Sequence, residues 1–444
     1  MNSNTRLIGH HIFWRGLYFL SVFVLNILIA RYFAAENSGQ IFYIINNLAL
    51  GLLIVSISLE SGATYYVSNG TVRAEAVARL CLIWAALASV VAITGWWLVL
   101  YITESPFIIN PGFIIASFLF ILGVLLSTFF TALFYAKKDF ATPNKILLSI
   151  NVLLLCGLII TNTHLIVNHY FLQIYFFSFF LQGLLIMILF FRKYAAGRSG
   201  EFPSRQILRK VLQYSLSALM ANLIYFLVLR IDYWFVKYYC SSNDLGNYIQ
   251  ASKIAQMMLV VPAIMGASLF PLFTSGRHSG SINQLPVVVR LLLWMNAGLC
   301  LLLAGLGWLL LPFVFGSSFN SLYHLSMLLI PGILSVTVTY PLAAWFSATK
   351  RIRINLYGSL IALTIICVGD LIFIPVYGSS AASVMSSAGY FAACWFYIHI
   401  YRKQYPVTAN ELFILKRSDL RQIRSNFLQS ARESEKIFIP NATP

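Results

Sequence analysis

The sequence predicts an all-α integral membrane protein with about twelve transmembrane helices, and three observations carry that prediction. The first is composition: of 444 residues, 59% are hydrophobic and 10% charged, against roughly 25% charged in a soluble domain. Second, the apolar residues come in blocks near the roughly 20 residues that a helix needs to cross the hydrocarbon. Third, the basic residues alternate between connectors, as the positive-inside rule requires of a polytopic chain.

The blocks place spans at about 12–33, 41–67, 77–101, 111–135, 145–161, 171–191, 211–236, 247–272, 287–314, 323–348, 354–375 and 381–401, the fifth being the shortest. Six connectors then share one side: 34–40, 102–110, 162–170, 238–246, 315–322 and 376–380, with no Lys or Arg in any of them. The opposite side (1–11, 68–79, 136–145, 192–210, 273–290, 349–353 and the tail from 402) carries 25 of the 30 basic residues. Positive connectors stay in the cytoplasm, so both termini are assigned there. A missed span would scramble this alternation.

The net charge of +17 therefore belongs to loops facing anionic lipid headgroups. Membrane lipids are the expected partners of that charge, and nucleic acid is not. Met1–His11 leads straight into a full-length span, so no cleavable signal peptide is read. Trp14, Trp96, Trp97 and Trp234 lie near span ends, where an aromatic belt would place them. The cysteines Cys81, Cys156, Cys240, Cys300, Cys367 and Cys394 are scattered without a CxxC pair. They read as small apolar packing residues, with no disulfide framework, zinc site or other cofactor.

Two halves of the chain resemble one another. Arg31-Tyr32-Phe33 ends span 1 and runs on to Gly39, as Lys237-Tyr238-Tyr239 ends span 7 and runs on to Gly246. Phe134-Tyr135-Ala136-Lys137-Lys138 leaves span 4 as Phe346-Ser347-Ala348-Thr349-Lys350 leaves span 10. The expected organisation is an N-terminal six-helix lobe (1–200), a C-terminal six-helix lobe (201–401) and a basic cytoplasmic tail (402–444), hinged at the basic loop 192–210. Six is even, so both copies run in the same direction. Pro262, Pro271, Pro331, Pro341 and Pro375 mark expected kinks. In the tail, Leu420, Ile423 and Phe427 follow helical spacing among Lys416, Arg417, Arg421 and Arg424. That pattern suits a short amphipathic helix on the inner leaflet and equally a solvated tail.

Enzyme signatures are missing, and the chain is not read as an enzyme. It has no Gly-rich phosphate loop, HExxH or GxSxG. Gly305 and Gly307 form a bare GxG inside a span. His164 and His169 flank an outer connector and read as interface residues, not metal ligands. The outer connectors offer only Glu36, Glu104 and Asp244 as acids, which counts against a polymerase or glycosyltransferase. What remains is charge inside the membrane. Glu60 lies in span 2, Arg230 and Asp232 in span 7, Lys253 in span 8 and Asp370 in span 11, with Arg31 and Lys237 at outer span ends. Each such charge costs ~3 kcal/mol at the bilayer centre, so these residues tend to face protein or a water-filled cavity. Arg31, Arg230, Lys237 and Lys253 against Asp232 and Asp370 make a net cationic set suited to an anionic substrate. The same residues also suit interhelical ion pairs, and Arg31 and Lys237 also suit snorkelling to the headgroups.

Three segments carry a family resemblance. The first is Leu28-Ile29-Ala30-Arg31-Tyr32-Phe33 with Gly39, Glu60 and Gly62. The second is Arg230-Ile231-Asp232, then Leu245-Gly246-Asn247-Tyr248, then Ala251-Ser252-Lys253-Ile254-Ala255-Gln256, ending at Pro271. The third is Ile374-Pro375-Val376-Tyr377-Gly378, with Ala381-Ala382 and Gly389-Tyr390. In order and spacing the chain resembles the polysaccharide-export branch of the MOP (multidrug/oligosaccharidyl-lipid/polysaccharide) superfamily, the Wzx-type O-antigen repeat-unit flippases. It departs from that pattern where Ser379 and Ser380 precede the Ala pair in place of the usual Gly.

The resemblance implies two six-helix lobes around a central cavity open alternately to either side of a bacterial cytoplasmic (inner) membrane. It implies a substrate of undecaprenyl-pyrophosphate-linked sugar units, H+ or Na+ as coupling ion, and polysaccharide polymerase or ligase partners. Arg230, Asp232 and Lys253 fall on charged family positions. On this reading Arg31, Arg230, Lys237 and Lys253 bind the head group, while Glu60, Asp232 and Asp370 couple an ion or position the basic residues. A multidrug transporter of the same superfamily is the alternative. A membrane polymerase or ligase and a non-transporting scaffold stand further off.

Overall fold

The computed structural model describes residues 3–102, 111–160, 164–195, 204–266, 281–349, 351–405 and 407–416. Those residues form helices joined by short turns, with no strand among them. In chain order the helices are α1 (Ser3–Ser56), α2 (Leu59–Ser68), α3 (Ala74–Ile102), α4 (Pro111–Ala136), α5 (Ala141–Ile160) and α6 (His164–Phe190). There follow α7 (Arg205–Arg230), α8 (Asp232–Tyr239), α9 (Ser242–Met258) and α10 (Val260–Gly266). The chain then continues through α11 (Ser281–Phe315), α12 (Leu322–Ala348), α13 (Ile352–Tyr377), α14 (Ser379–Gln404) and α15 (Ala409–Phe413). The proposed tail helix around 420–427, Glu104, Pro271 and the middle of the basic loop 192–210 lie outside the described residues. All six cysteines are free thiols.

Nine helical stretches among the described residues are long and apolar enough to cross a bilayer, or ten with the bent pair α9–α10 taken as one span. The sequence leads one to expect about twelve. Part of the difference lies in α1, where Phe13–Ser56 counts once at 44 residues, about twice what one crossing needs. Its backbone leaves helical geometry at Ala34 (φ 56°, ψ 177°), so it holds two expected spans with a break between them. The rest lies in α14, whose serine-rich first half falls short of the others in hydropathy.

Several expected spans are interrupted. Ile57 and Ser58 both take positive φ, 48° and 51°, and split span 2 into the end of α1 and the separate helix α2. Positive φ is unusual for a β-branched residue and has to be held by its surroundings. Here the Trp84 indole donates to the Val55 carbonyl at 3.0 Å, and the Ser56 hydroxyl accepts from the Ser58 amide at 3.1 Å. The α9–α10 pair bends by 43°. Pro262 lies four residues after Met258, so it removes one hydrogen bond there and crowds the carbonyl.

The chain divides into two compact units, an N-terminal one of residues 7–227 and a C-terminal one of residues 1–6 with 228–444. The division lies within α7. In the N-terminal unit α4 and α6 meet at glycines: a Cβ on Gly183 would strike the backbone of Gly123, and one on Gly123 the backbone of Phe179 and Phe180. Small residues of this kind let membrane helices approach backbone to backbone. Phe129, Phe130, Phe134, Phe176 and Phe190 fill the space around them and are fully buried. Where α7 joins this unit, Gly62 of α2 has no room for a Cβ against Val211 and Ser215.

The C-terminal unit repeats the device. Gly332 of α12 lies against Tyr390 and Ser387 of α14, while Gly358 and Gly369 of α13 lie against Tyr397 and Met385. Beyond α14 the chain turns back, and α15 seats Leu412, fully buried, among Leu285, Val289, Leu342 and Tyr401. Arg290 and Trp294 of α11 donate to the carbonyls of Glu411 and Phe413.

Candidate functional site

The C-terminal unit brings four of the sequence-predicted charges together at the α7–α8 junction. Arg230 ends α7 and Asp232 opens α8, and Ile231 between them keeps helical backbone angles (φ −62°, ψ −35°), so Arg205–Tyr239 runs as one span. Tyr390 of α14 donates its hydroxyl to the Val228 carbonyl at 3.2 Å, satisfying an acceptor near this helix end.

Asp232 is buried, with 1% of its surface exposed. Its Oδ2 accepts from the Tyr248 hydroxyl of α9 and, at 3.0 Å, from the Ser386 hydroxyl of α14. Its Oδ1 is buried without a hydrogen-bond partner. Asp370 of α13 is fully buried, neither of its carboxyl oxygens has a hydrogen-bond partner, and it feels the charge of Asp232. One face of this cluster is lined by Tyr248, Ser252, Gln256 and Ser386, around a cavity of about 20 Å³. That is room for one water-sized species.

Lys253, one turn after Ile249 on α9, is half-buried. Beside it, Ser252 accepts from the Tyr233 hydroxyl at 2.9 Å and from the Gln256 amide at 3.1 Å. Lys237 lies in the last turn of α8 and is half-buried.

Arg31 and Glu60 belong to the N-terminal unit. Arg31 is exposed on α1. Glu60 opens α2 directly after the strained Ile57-Ser58 step, is half-buried, and keeps Oε2 buried without a hydrogen-bond partner. Tyr248, Ser386 and Tyr390 escaped the sequence reading as site residues. Tyr248 and Tyr390 stand in the quoted motifs, but nothing in those motifs shows where a hydroxyl points. Among the described residues no three His, Cys, Asp or Glu side chains gather as a metal site would require.

No family profile and no curated protein matches this sequence. Solved structures match it in shape. An inward-facing multidrug resistance MATE transporter of the MOP superfamily superposes with a TM-score of 0.67 at 11% identity, over 87% of this chain and 94% of its own. The fold is that of the MOP-superfamily transporters. The lipid II flippase MurJ, in an inward closed conformation, gives a TM-score of 0.64 at 12% identity, over 88% of this chain and 87% of its own. A MOP-superfamily transporter from Pyrococcus furiosus, described by the reversed polarity of its binding pocket, gives 0.65 at 10% identity, over 90% and 94%. At such identities the likeness concerns fold and leaves the substrate open.

Proposed function

We propose that this chain is a flippase that moves undecaprenyl-pyrophosphate-linked oligosaccharide repeat units across the bacterial cytoplasmic membrane for surface polysaccharide synthesis. The feature that supports the reading is the presence of Arg230 and Lys253, two basic side chains within the apolar spans of the C-terminal unit. Basic side chains such as these attract a pyrophosphate and repel the cationic compounds that a drug exporter must bind. The fold is compatible with such a task, since one neighbour in shape carries the name of a lipid II flippase. Pocket polarity as a mark of differing function is the theme of the Pyrococcus furiosus neighbour.

In this proposal Arg230 and Lys253 contact the head group, and Arg31 and Lys237 attract it. Asp232 and Asp370 exchange the coupling ion, H+ or Na+, for which an all-oxygen set of two carboxyls and two hydroxyls is chemically suited. Glu60 serves the same role in the N-terminal unit. Alternating access by the two six-helix lobes carries the head group over while the lipid tail stays in the bilayer, and both chain ends remain in the cytoplasm.

Deletion of the gene followed by mass spectrometry of lipid-linked sugars tests the reading. A repeat unit accumulating on the inner leaflet is the expected result, and an unchanged lipid-linked pool would refute it. The buried Asp232–Asp370 pair favours one second reading, a multidrug/cation antiporter of the same fold. Raised drug sensitivity on deletion, with normal surface polymer, is what that reading requires.

A further inference from the structure

We propose that the N-terminal unit holds an anion site of its own, a loading pocket for the phosphate-bearing head of the lipid-linked substrate, built around Arg15. The proposal rests on the flippase reading and adds to it a place where cargo first docks. A cavity of about 320 Å³ opens among α1, α2, α4, α5 and α6, at the lower end of the range for small-molecule sites. Its wall carries the guanidinium of Arg15, the hydroxyls of Thr64, Thr128, Thr131 and Tyr135, and the amide of Gln182. No Asp or Glu lines it.

Arg15 is held in place by neutral groups. It donates to Asn144 Oδ1 at 3.3 Å and lies over the rings of Tyr18 and Phe19 at 5.3 and 4.8 Å. The same Asn144 oxygen accepts from the Tyr135 hydroxyl at 3.1 Å, and Asn144 is itself anchored to the Phe140 carbonyl at 2.8 Å. The guanidinium is thus oriented without being neutralised. An arginine this near a span end ordinarily reaches the headgroups, whereas Arg15 lines the cavity. Thr131 adds a hydroxyl buried without a hydrogen-bond partner. One guanidinium, several hydroxyls and an amide are the donors that grip a phosphate and the sugar bonded to it.

The position fits loading. Tyr135 stands in the last turn of α4, and Thr64 one turn from the end of α2. Both helices run into connectors rich in Lys and Arg, 136–145 and 68–79. By the charge rule that is the side on which a precursor made in the cytoplasm arrives.

Equilibrium dialysis of the full-length protein in detergent micelles tests this, with labelled inorganic pyrophosphate and farnesyl pyrophosphate as probes. Both should bind. Arg15→Gln should weaken both at least about tenfold, a loss of about 1.4 kcal/mol, Arg15→Lys less, and Thr131→Val by a few-fold, with unchanged thermal midpoints. Binding that survives Arg15→Gln and Thr131→Val unaltered would overturn the proposal, as would wild-type protein that binds neither probe. Capture of inorganic pyrophosphate alone would overturn the assignment to a lipid-linked head. If Arg15→Gln fails to fold, the Thr131→Val result decides. The flippase reading fails separately: an unchanged lipid-linked pool on deletion sinks it while leaving pyrophosphate binding intact.

Discussion

Tyr248 of α9 donates its hydroxyl to the Asp232 carboxylate of α8, and Ser386 of α14 donates to the same oxygen at 3.0 Å. Three helices thereby converge on one buried acid. Tyr248→Phe removes a donor and leaves the carboxylate less satisfied, which should lower stability in detergent by about 1–3 kcal/mol. Asp232→Asn, which keeps shape and drops charge, should hold the thermal midpoint near wild type and abolish coupled transport. Export that persists in Asp232→Asn would remove this acid from the coupling proposal.

Arg230 and Lys253 are the cations assigned to the head group, so neutralising either should remove function. Arg230→Gln and Lys253→Gln are expected to insert normally. Each should cut export of surface polymer more than about tenfold, near 1.4 kcal/mol of lost function. Normal polymer in both mutants would sink the head-group assignment.

Gly183 and Gly123 test the close approach of α4 and α6. Alanine is the better helix former by about 1 kcal/mol, so an open site would gain from Gly→Ala. Here each added methyl meets backbone atoms that only a shift of the whole helix can clear. Gly183→Ala and Gly123→Ala should therefore destabilise, by about 1–3 kcal/mol, in a thermal melt of detergent-solubilised protein. Gly157, which has nothing within 4 Å of its Cβ position, is the control expected to tolerate alanine.

Asp139 gives a pH signature on the connector between α4 and α5. Burial raises its carboxyl, but hydrogen bonds from Lys193 at 2.7 Å and from Thr142 outweigh burial and hold it below the ordinary value. A carboxyl depressed by folding adds stability above its unfolded value of about 3.9. That stability is lost as pH falls through the folded value. Lys193 is 53% exposed, so screening limits the pair to roughly 0.5 kcal/mol. Asp139→Asn should cost about that at pH 7, and the gap to wild type should close near pH 3. A gap that widens on acidification would contradict the assignment.

Much of the fold was legible because lipid imposes simple demands. Apolar blocks and basic connectors announced the helices, and Pro262 announced the bend that follows Met258. The break at Ile57-Ser58 was not legible: neither residue is a helix breaker, and the partners that hold it, Trp84 among them, come from another helix. The site was legible in its charges, since Arg230, Asp232, Lys253 and Asp370 stand out in apolar sequence. Tyr248, Ser386 and Tyr390 were not, because tyrosines and serines are common in such helices and only packing decides where their hydroxyls point. Arg15 hid for another reason. It lies near a span end, where an arginine ordinarily reaches the headgroups.

The short helix α15 sets where this chain can be cut. Leu412 plugs an apolar seat formed by α11, α12 and α14, and Arg290 and Trp294 hold it there from α11. A stop codon at 405 would leave every helix through α14 intact and still bare that seat, an exposed apolar patch of the kind that marks an unfinished protein. A stop codon at 417 keeps the plug. Reporter fusions and truncation libraries should show the same step between these two positions, as a loss of accumulated protein and not of activity per molecule.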